Sequence, residues 1–374
     1  MKLFSWGANS HGQLGQGSIS EACCLPTEIS ASCMDPASIV SIVGGGGHSL
    51  VLDRSGNVFA AGWNNKGQLG LEGDDVTSFQ SVQSLHGYRV NQLACGWDSS
   101  SALTSNGSLL VWGSNAYSQL GLSKQKLKST KSPQRIPVAR VKQASLGLRH
   151  LVIVSEAGKV YASGAGNKGQ LGIVDSSGRP LSESQNITQV PFLDDIVGIS
   201  CGQHHNIALS KSGKIFVWGD NRFGQLGLDP AIHPVVYTPH ELQISLPEIK
   251  GLPSALFAGW THSVVLTDNE ELINWGRNSY GQLGCDSQER VATWDPSILR
   301  MDEKLRQVAV GSEHNVVLTE KRDILSWGWN EHGNCGTGAQ ENVLKPSIVR
   351  MESTKRATMI GTGACHCFVV LDTN

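Results

Sequence analysis

Apolar residues along this chain fall in short runs separated by glycine and polar residues, as in His48-Ser-Leu-Val-Leu, then Asp53-Arg-Ser-Gly-Asn, then Val58-Phe-Ala-Ala. Runs of this length, bounded by turn formers, predict strands joined by tight turns. The runs belong to a pattern that recurs seven times. Its copies are FSWGANSHGQLGQG from Phe4, FAAGWNNKGQLGLE from Phe59, LVWGSNAYSQLGLS from Leu110 and YASGAGNKGQLGIV from Tyr161. They continue as FVWGDNRFGQLGLD from Phe216, INWGRNSYGQLGCD from Ile273 and LSWGWNEHGNCGTG from Leu325. A second pattern, G-x-x-H followed by four apolar-leaning positions, precedes each later copy. It carries His48, His150, His205, His262, His314 and His366, with Ser99 in the second slot.

The histidine slot lies 13 residues before the tryptophan slot in all six internal pairs, an interval that fits a β-hairpin. The seventh pair is split between the termini. Joining Asn374 to Met1 puts Trp6 14 residues after His366, so the first strand should pair with the last. A linear stack would leave half-sheets with open edges, and a closed ring removes them. The expectation is all-β: one seven-bladed β-propeller over residues 1–374, with repeats of 51–57 residues. Longer stretches at 176–189 and 229–250 read as loops that form a partner wedge.

Composition agrees. Length alone suggests two or three domains of roughly 150 residues, but a closed ring makes them one. Glycine, 43 of 374 residues, is far above the usual ~7%, yet it does not recur every third residue as in collagen. With 39% hydrophobic residues and ten tryptophans, disorder is excluded. No stretch approaches the ~20 apolar residues of a membrane-spanning helix, and MKLFSWGANS turns polar before a signal core forms. The nine cysteines lack framework spacing and read as reduced, small apolar residues. The sequons at Asn106 and Asn186 then have no role. A monomer in the cytoplasm, and also the nucleus, is expected.

The repeated positions read as structural. Gly12, Gly15, Gly67 and Gly70 permit positive φ and close blade contact. Asn9, Asn64, Asn115 and Asn221 suit bonds to turn backbone two residues on. Leu14, Leu69, Leu226 and Leu283 plug between blades, and the histidines are expected to bond backbone. Ala61 and Ser163 replace the tryptophan, Ser118 a glycine, and Asn334-Cys335 the usual Gln-Leu.

WG-x-N-x-x-G-Q-L-G with G-x-x-H-x-x-x-L-T resembles the repeat of the regulator of chromosome condensation family, over essentially the whole chain. GGGGHS (residues 44–49), CGWD (95–98), GLRH (147–150), GWTH (259–262) and GSEHN (311–315) narrow the resemblance. They point to a branch that is little more than the propeller and regulates secretion. The resemblance implies guanine nucleotide exchange on a small GTPase, with no covalent chemistry and no cofactor. A non-catalytic scaffold for protein–protein interaction is the alternative. Plant ultraviolet photoreceptors share the repeat, but they carry consecutive GWRHT copies, whereas here only Trp97 and Trp260 fill that slot.

The pairs between Gly and His occupy one geometric slot seven times yet differ in chemistry: Gly46-Gly47, Trp97-Asp98, Leu148-Arg149, Gln203-His204, Trp260-Thr261, Ser312-Glu313 and Ala364-Cys365. They should ring one face as a binding surface on a rigid scaffold. The resemblance implies Asp98, Arg149, His204 and Glu313 as residues acting on the GTPase, with Trp97 and Trp260 as apolar anchors. Gly164-Ala-Gly-Asn-Lys-Gly169 matches a dinucleotide loop, but it is one repeat copy with no helix after it. Cys365-His366-Cys367 and His204-His205 alternate across strands, so no metal site is expected. No acidic residue occurs between Asp98 and Glu156, where eight cations fall, Arg140, Lys142 and Arg149 among them. The others, Lys124, Lys126, Lys128, Lys131 and Arg135, form an expected docking patch for an acidic protein or anionic lipid. With a net charge of −2 and no basic N-terminal tail, DNA is not an expected partner.

Overall fold

Each 13-residue interval folds as a hairpin. In one of them His262–Thr267 runs antiparallel to Leu272–Gly276, with His262 opposite Gly276. An inner strand before the histidine strand and an outer strand after the tryptophan strand complete every sheet, giving seven four-stranded blades. The computed structural model describes residues 1–373 apart from 31, 139, 245, 247, 249, 287–292 and 352–355. Blade 1 spans residues 39–81, blade 2 90–135, blade 3 141–189, blade 4 196–242, blade 5 253–299 and blade 6 305–348. Blade 7 joins Ala357–Thr362 and His366–Leu371 to Lys2–Asn9 and Ser20–Glu28. Its closing register runs from Lys2↔Leu371 to Gly7↔His366, the terminal pairing the spacing predicts. The stretches read as wedge loops instead supply outer strands, Glu183–Gln189 and Val235–Leu242. Positions 245, 247 and 249 of the second stretch lie outside the described residues.

Apolar residues do not gather under one sheet. They form a cluster at each of the seven seams between neighbouring blades. Repeated polar residues then latch the seams. Trp112, Trp218, Trp275 and Trp327 donate their indole N–H to the main-chain oxygen of Gln68, Gln170, Gln225 and Gln282 in the preceding blade, at 2.9–3.2 Å. Trp6 donates likewise to Asn334. The same oxygens accept from the residue after the histidine slot: Ser100, Asn206, Ser263, Asn315 or Cys367.

The histidines correct one expectation. Their Nε2 atoms meet side chains of the next blade, not backbone: Ser100, Asn206, Ser263, Asn315, Cys367 and Ser49 pair with His48, His150, His205, His262, His314 and His366. The asparagines correct another. Asn64, Asn115 and Asn221 accept from the N–H five residues on and donate to the oxygen seven residues on, bracing the whole loop.

Only the seam between blades 2 and 3 lacks every part of the latch among the described residues. Ser99 stands for the histidine, Leu151 for its partner and Ser163 for the tryptophan, and both serine hydroxyls are buried without a partner. Polar contacts at the rim join these blades instead. Ser118, held at φ 61° where six sister repeats use glycine, donates to Glu183 at 2.9 Å.

Candidate functional site

The glycine after each tryptophan slot sets the face. Gly113 has φ +95°, and a Cβ there would lie 2.6 Å from the Asp98 carbonyl oxygen; at Gly164, φ +109°, it would lie 2.5 Å from that of Arg149. Only glycine lets the strand pass so close. The two carbonyls then accept from Ser114 and Ala165 N–H at 2.8 and 2.9 Å, which fixes Asp98 and Arg149 at the mouth of the ring. His204 is held in the same way by Asp220.

The residues one step closer to the axis bond blade to blade. Gly46 N–H donates to Trp97 O, Leu148 to Gln203 O, Gln203 to Trp260 O, Trp260 to Ser312 O, Ser312 to Ala364 O and Ala364 to Gly45 O. This backbone circle, broken between Trp97 and Leu148, surrounds a glycine-lined axial channel of about 110 Å³. Trp97 and Trp260, from blades 2 and 5, meet across it with ring centroids 5.2 Å apart and planes at 48°. Both are half-buried, and their rings meet in a tilted contact.

The four charged or titratable candidates are not alike. Asp98 is half-buried, and burial raises its carboxyl pKa against the opposing effects of Ser114, Lys66 and Arg149. Arg149 is exposed, its guanidinium 4.2 Å from the centre of the Tyr117 ring. His204 is pushed down to about 4, by burial first and by nearby Arg149 and Lys168, with Asp220 opposing. It is a neutral imidazole at pH 7. Glu313 differs from the expectation of a presented acid. It is buried, accepts Thr261 Oγ1 at 2.7 and 2.9 Å and Gln282 Nε2 at 2.6 Å, and so braces the ring from beneath.

A second, wider ring escaped the sequence reading. The residue two after the repeat asparagine, or its equivalent, is His11, Lys66, Tyr117, Lys168, Phe223, Tyr280 or His332, and the residue after WG includes Trp63, Arg277 and Trp329. His11 stacks on Trp63 at 4.7 Å, and a Cβ on Gly47 of the axial ring would lie 3.0 Å from His11. Arg277 lies over Phe223 and Tyr280. The signal was variation inside an otherwise constant loop, the same signal that marks the axial ring.

The cationic stretch of blade 2 is less bare than its sequence. Lys124 pairs with Glu183 at 2.5 Å, Lys131 with Glu72 at 3.8 Å and Arg140 with Glu156 at 3.3 Å, and all three acids lie outside blade 2. Lys126, Lys128 and Arg135 are exposed. Among the described residues, no helix is long and apolar enough to cross a membrane.

The chain is 35% identical to the mouse (Mus musculus) secretion-regulating guanine nucleotide exchange factor, over 98% of this chain and 83% of that protein. It is 31% identical to the ultraviolet-B receptor UVR8 of Arabidopsis thaliana, over 95% of this chain and 79% of that one. The crystal structure of Prp20p from Saccharomyces cerevisiae, described with its binding to Gsp1p and histones, superposes with a TM-score of 0.87 at 27% identity, covering 99% and 91% of the two chains. The model of the RCC1-like domain matches residues 2–369. Seven blades closed by their terminal strands, matched over residues 2–369, place this chain in the RCC1-like domain family.

Proposed function

We propose that the double ring of side chains binds a small GTPase and speeds release of its guanine nucleotide, in the regulation of secretion. The observation that carries this reading is the contrast inside the repeat: latch residues recur, while Asp98, Arg149, His204 and their outer neighbours vary on one rigid face. The relatives named as guanine nucleotide exchange factors support it. No bond need be made or broken by the propeller. It would bind the GTPase more tightly without nucleotide than with it, and linkage lowers nucleotide affinity by the same factor. Asp98 and Arg149 supply charge at the mouth, His204 a neutral ring nitrogen, and the tilted Trp97–Trp260 pair an apolar centre. Glu313 acts as a positioning residue. Lys126, Lys128 and Arg135 would dock an acidic protein or anionic lipid, bringing a monomeric, cytoplasmic or nuclear propeller to its partner. Release of fluorescent GDP from a panel of purified small GTPases tests the reading. Acceleration of one GTPase supports it, and binding without acceleration assigns the face to a scaffold.

A further inference from the structure

Gln170 in blade 3 is fully buried, and its Oε1 accepts the Lys168 N–H at 2.8 Å, but its Nε2 has no partner among the described residues. Two sister glutamines pair this nitrogen with an acid, whereas that of Gln68 is unpartnered among the described residues even with Asp98 in the neighbouring slot. Gln282 Nε2 donates to Glu313 Oε2 at 2.6 Å, and Gln225 Nε2 lies 3.5 Å from Asp220 Oδ2. In repeat register, Glu313 corresponds to His204 and Asp220 to Ala165. Both acids are therefore missing around Gln170. Their place is taken by a cavity of about 430 Å³ that Ala165, Gln170 and His204 line together with Lys124, Arg149 and Lys168.

The charge of the lining has the opposite sign to that of the absent acids. Glu183, its one acidic residue, is already engaged by Lys124 at 2.5 Å and by Ser118 at 2.9 Å. Three cations and one carboxylate leave the lining at +2. The carboxylates of Asp98 and Asp220 act on Arg149 and His204 but do not line the cavity. A buried amide donor without an acceptor is costly unless something completes it.

We propose that this cavity binds the phosphate dianion of a small phosphate monoester, with one phosphate oxygen on Gln170 Nε2 and the others between Arg149 and Lys168. A carboxylate would answer the amide but only half of the charge, whereas a phosphate dianion answers both. The volume lies within the ~300–1,000 Å³ range of small-molecule sites and leaves room for the organic part beyond the phosphate. The cavity shares Tyr117, Arg149, Lys168 and His204 with the rings, so it goes beyond the reading of a GTPase-binding face, and its test needs no GTPase.

The full chain is titrated calorimetrically with phenyl phosphate and with inorganic phosphate, against sodium chloride at matched ionic strength. Saturable binding of phenyl phosphate, tighter than inorganic phosphate, is expected. Ala165→Asp installs the acid that blade 4 already carries, and Lys168→Glu reverses a lining charge. Each should weaken binding by about tenfold or more while the urea midpoint holds. If Ala165→Asp does not fold, Lys168→Glu alone decides. Heat no greater than that of chloride, equal affinity for the two phosphates, or undiminished affinity in Lys168→Glu would each overturn the proposal.

Discussion

His314 Nε2 stands 3.1 Å from the Cys367 sulfur, in a position that five other seams fill with a serine hydroxyl or an asparagine oxygen. The thiol also lies 3.3 Å from the Asn334 main-chain oxygen, so a cysteine does the work of a polar latch between blades 6 and 7. Burial raises its pKa well above the ordinary thiol value, so it stays protonated. Cys367→Ser, which keeps donor and acceptor, should change unfolding free energy by less than about 1 kcal/mol. Cys367→Ala leaves His314 and the carbonyl unanswered and should cost about 1–3 kcal/mol. Urea unfolding of the two variants separates a latch from a filler.

The buried histidines make the ring acid-sensitive. Burial pushes His48, His205, His314 and His366 down to about 3 and His150 to about 4, from an ordinary value of 6.5. Between those values and 6.5 the unfolded chain binds protons that the folded chain refuses. Stability is therefore whole above pH 6.5 and falls as pH drops toward 4, by up to ~1.4 kcal/mol per histidine per pH unit. The urea midpoint should drop steeply between pH 6.5 and 5 and stay level between 7 and 8. A flat profile from 7 to 5 would contradict the neutral latch.

The ring itself could be read from spacing, because a 13-residue hairpin interval and its split copy at His366 and Trp6 depend only on order along the chain. What lay beyond the sequence was chemistry between blades. The histidine partner changes among Ser, Asn and Cys, so no motif announces it. Glu183 neutralises Lys124 from 59 residues away, and nothing local couples the two. Glu313 shared a slot with presented residues, yet Thr261 and Gln282 draw its carboxylate inward. Slot membership predicts where a backbone goes, whereas each side chain's direction depends on its neighbours.

The two kinds of ring residue should part experimentally. Asp98→Asn and His204→Ala, half-buried at the mouth, are expected to slow nucleotide exchange by about tenfold or more, the scale of one charged hydrogen bond, with little change in thermal midpoint. Glu313→Ala removes the acceptor of Thr261 and Gln282 and should lose about 1–3 kcal/mol of stability. Exchange rates and melting curves on the same preparations read both. Unchanged exchange in Asp98→Asn and His204→Ala would remove these residues from the mechanism.

Two seams have lost their tryptophan, and each has filled the space from an outer strand. A Cβ on Gly70, Gly227 or Gly284 would meet a tryptophan Nε1 at 3.2–3.3 Å. The equivalent glycine in blade 7, Gly15, meets the Phe79 ring instead, and Gly121 in blade 2 meets Ile187. Restoring the repeat consensus at Ser163 should therefore not stabilise the protein. Ser163→Trp places an indole where Ile187 already packs, and overpacking should cost about 1–3 kcal/mol. Ile187→Ala alone opens a cavity and also destabilises, by about 2–5 kcal/mol. Together the two changes relieve each other, and the indole comes within reach of the Gln119 carbonyl, the counterpart of those its sisters find on Gln68 and Gln170. The double variant should then lie closer to the parent than the sum of the singles by more than about 1 kcal/mol. Additive losses in a denaturation cycle would mean that Ile187 does not stand in for the missing ring.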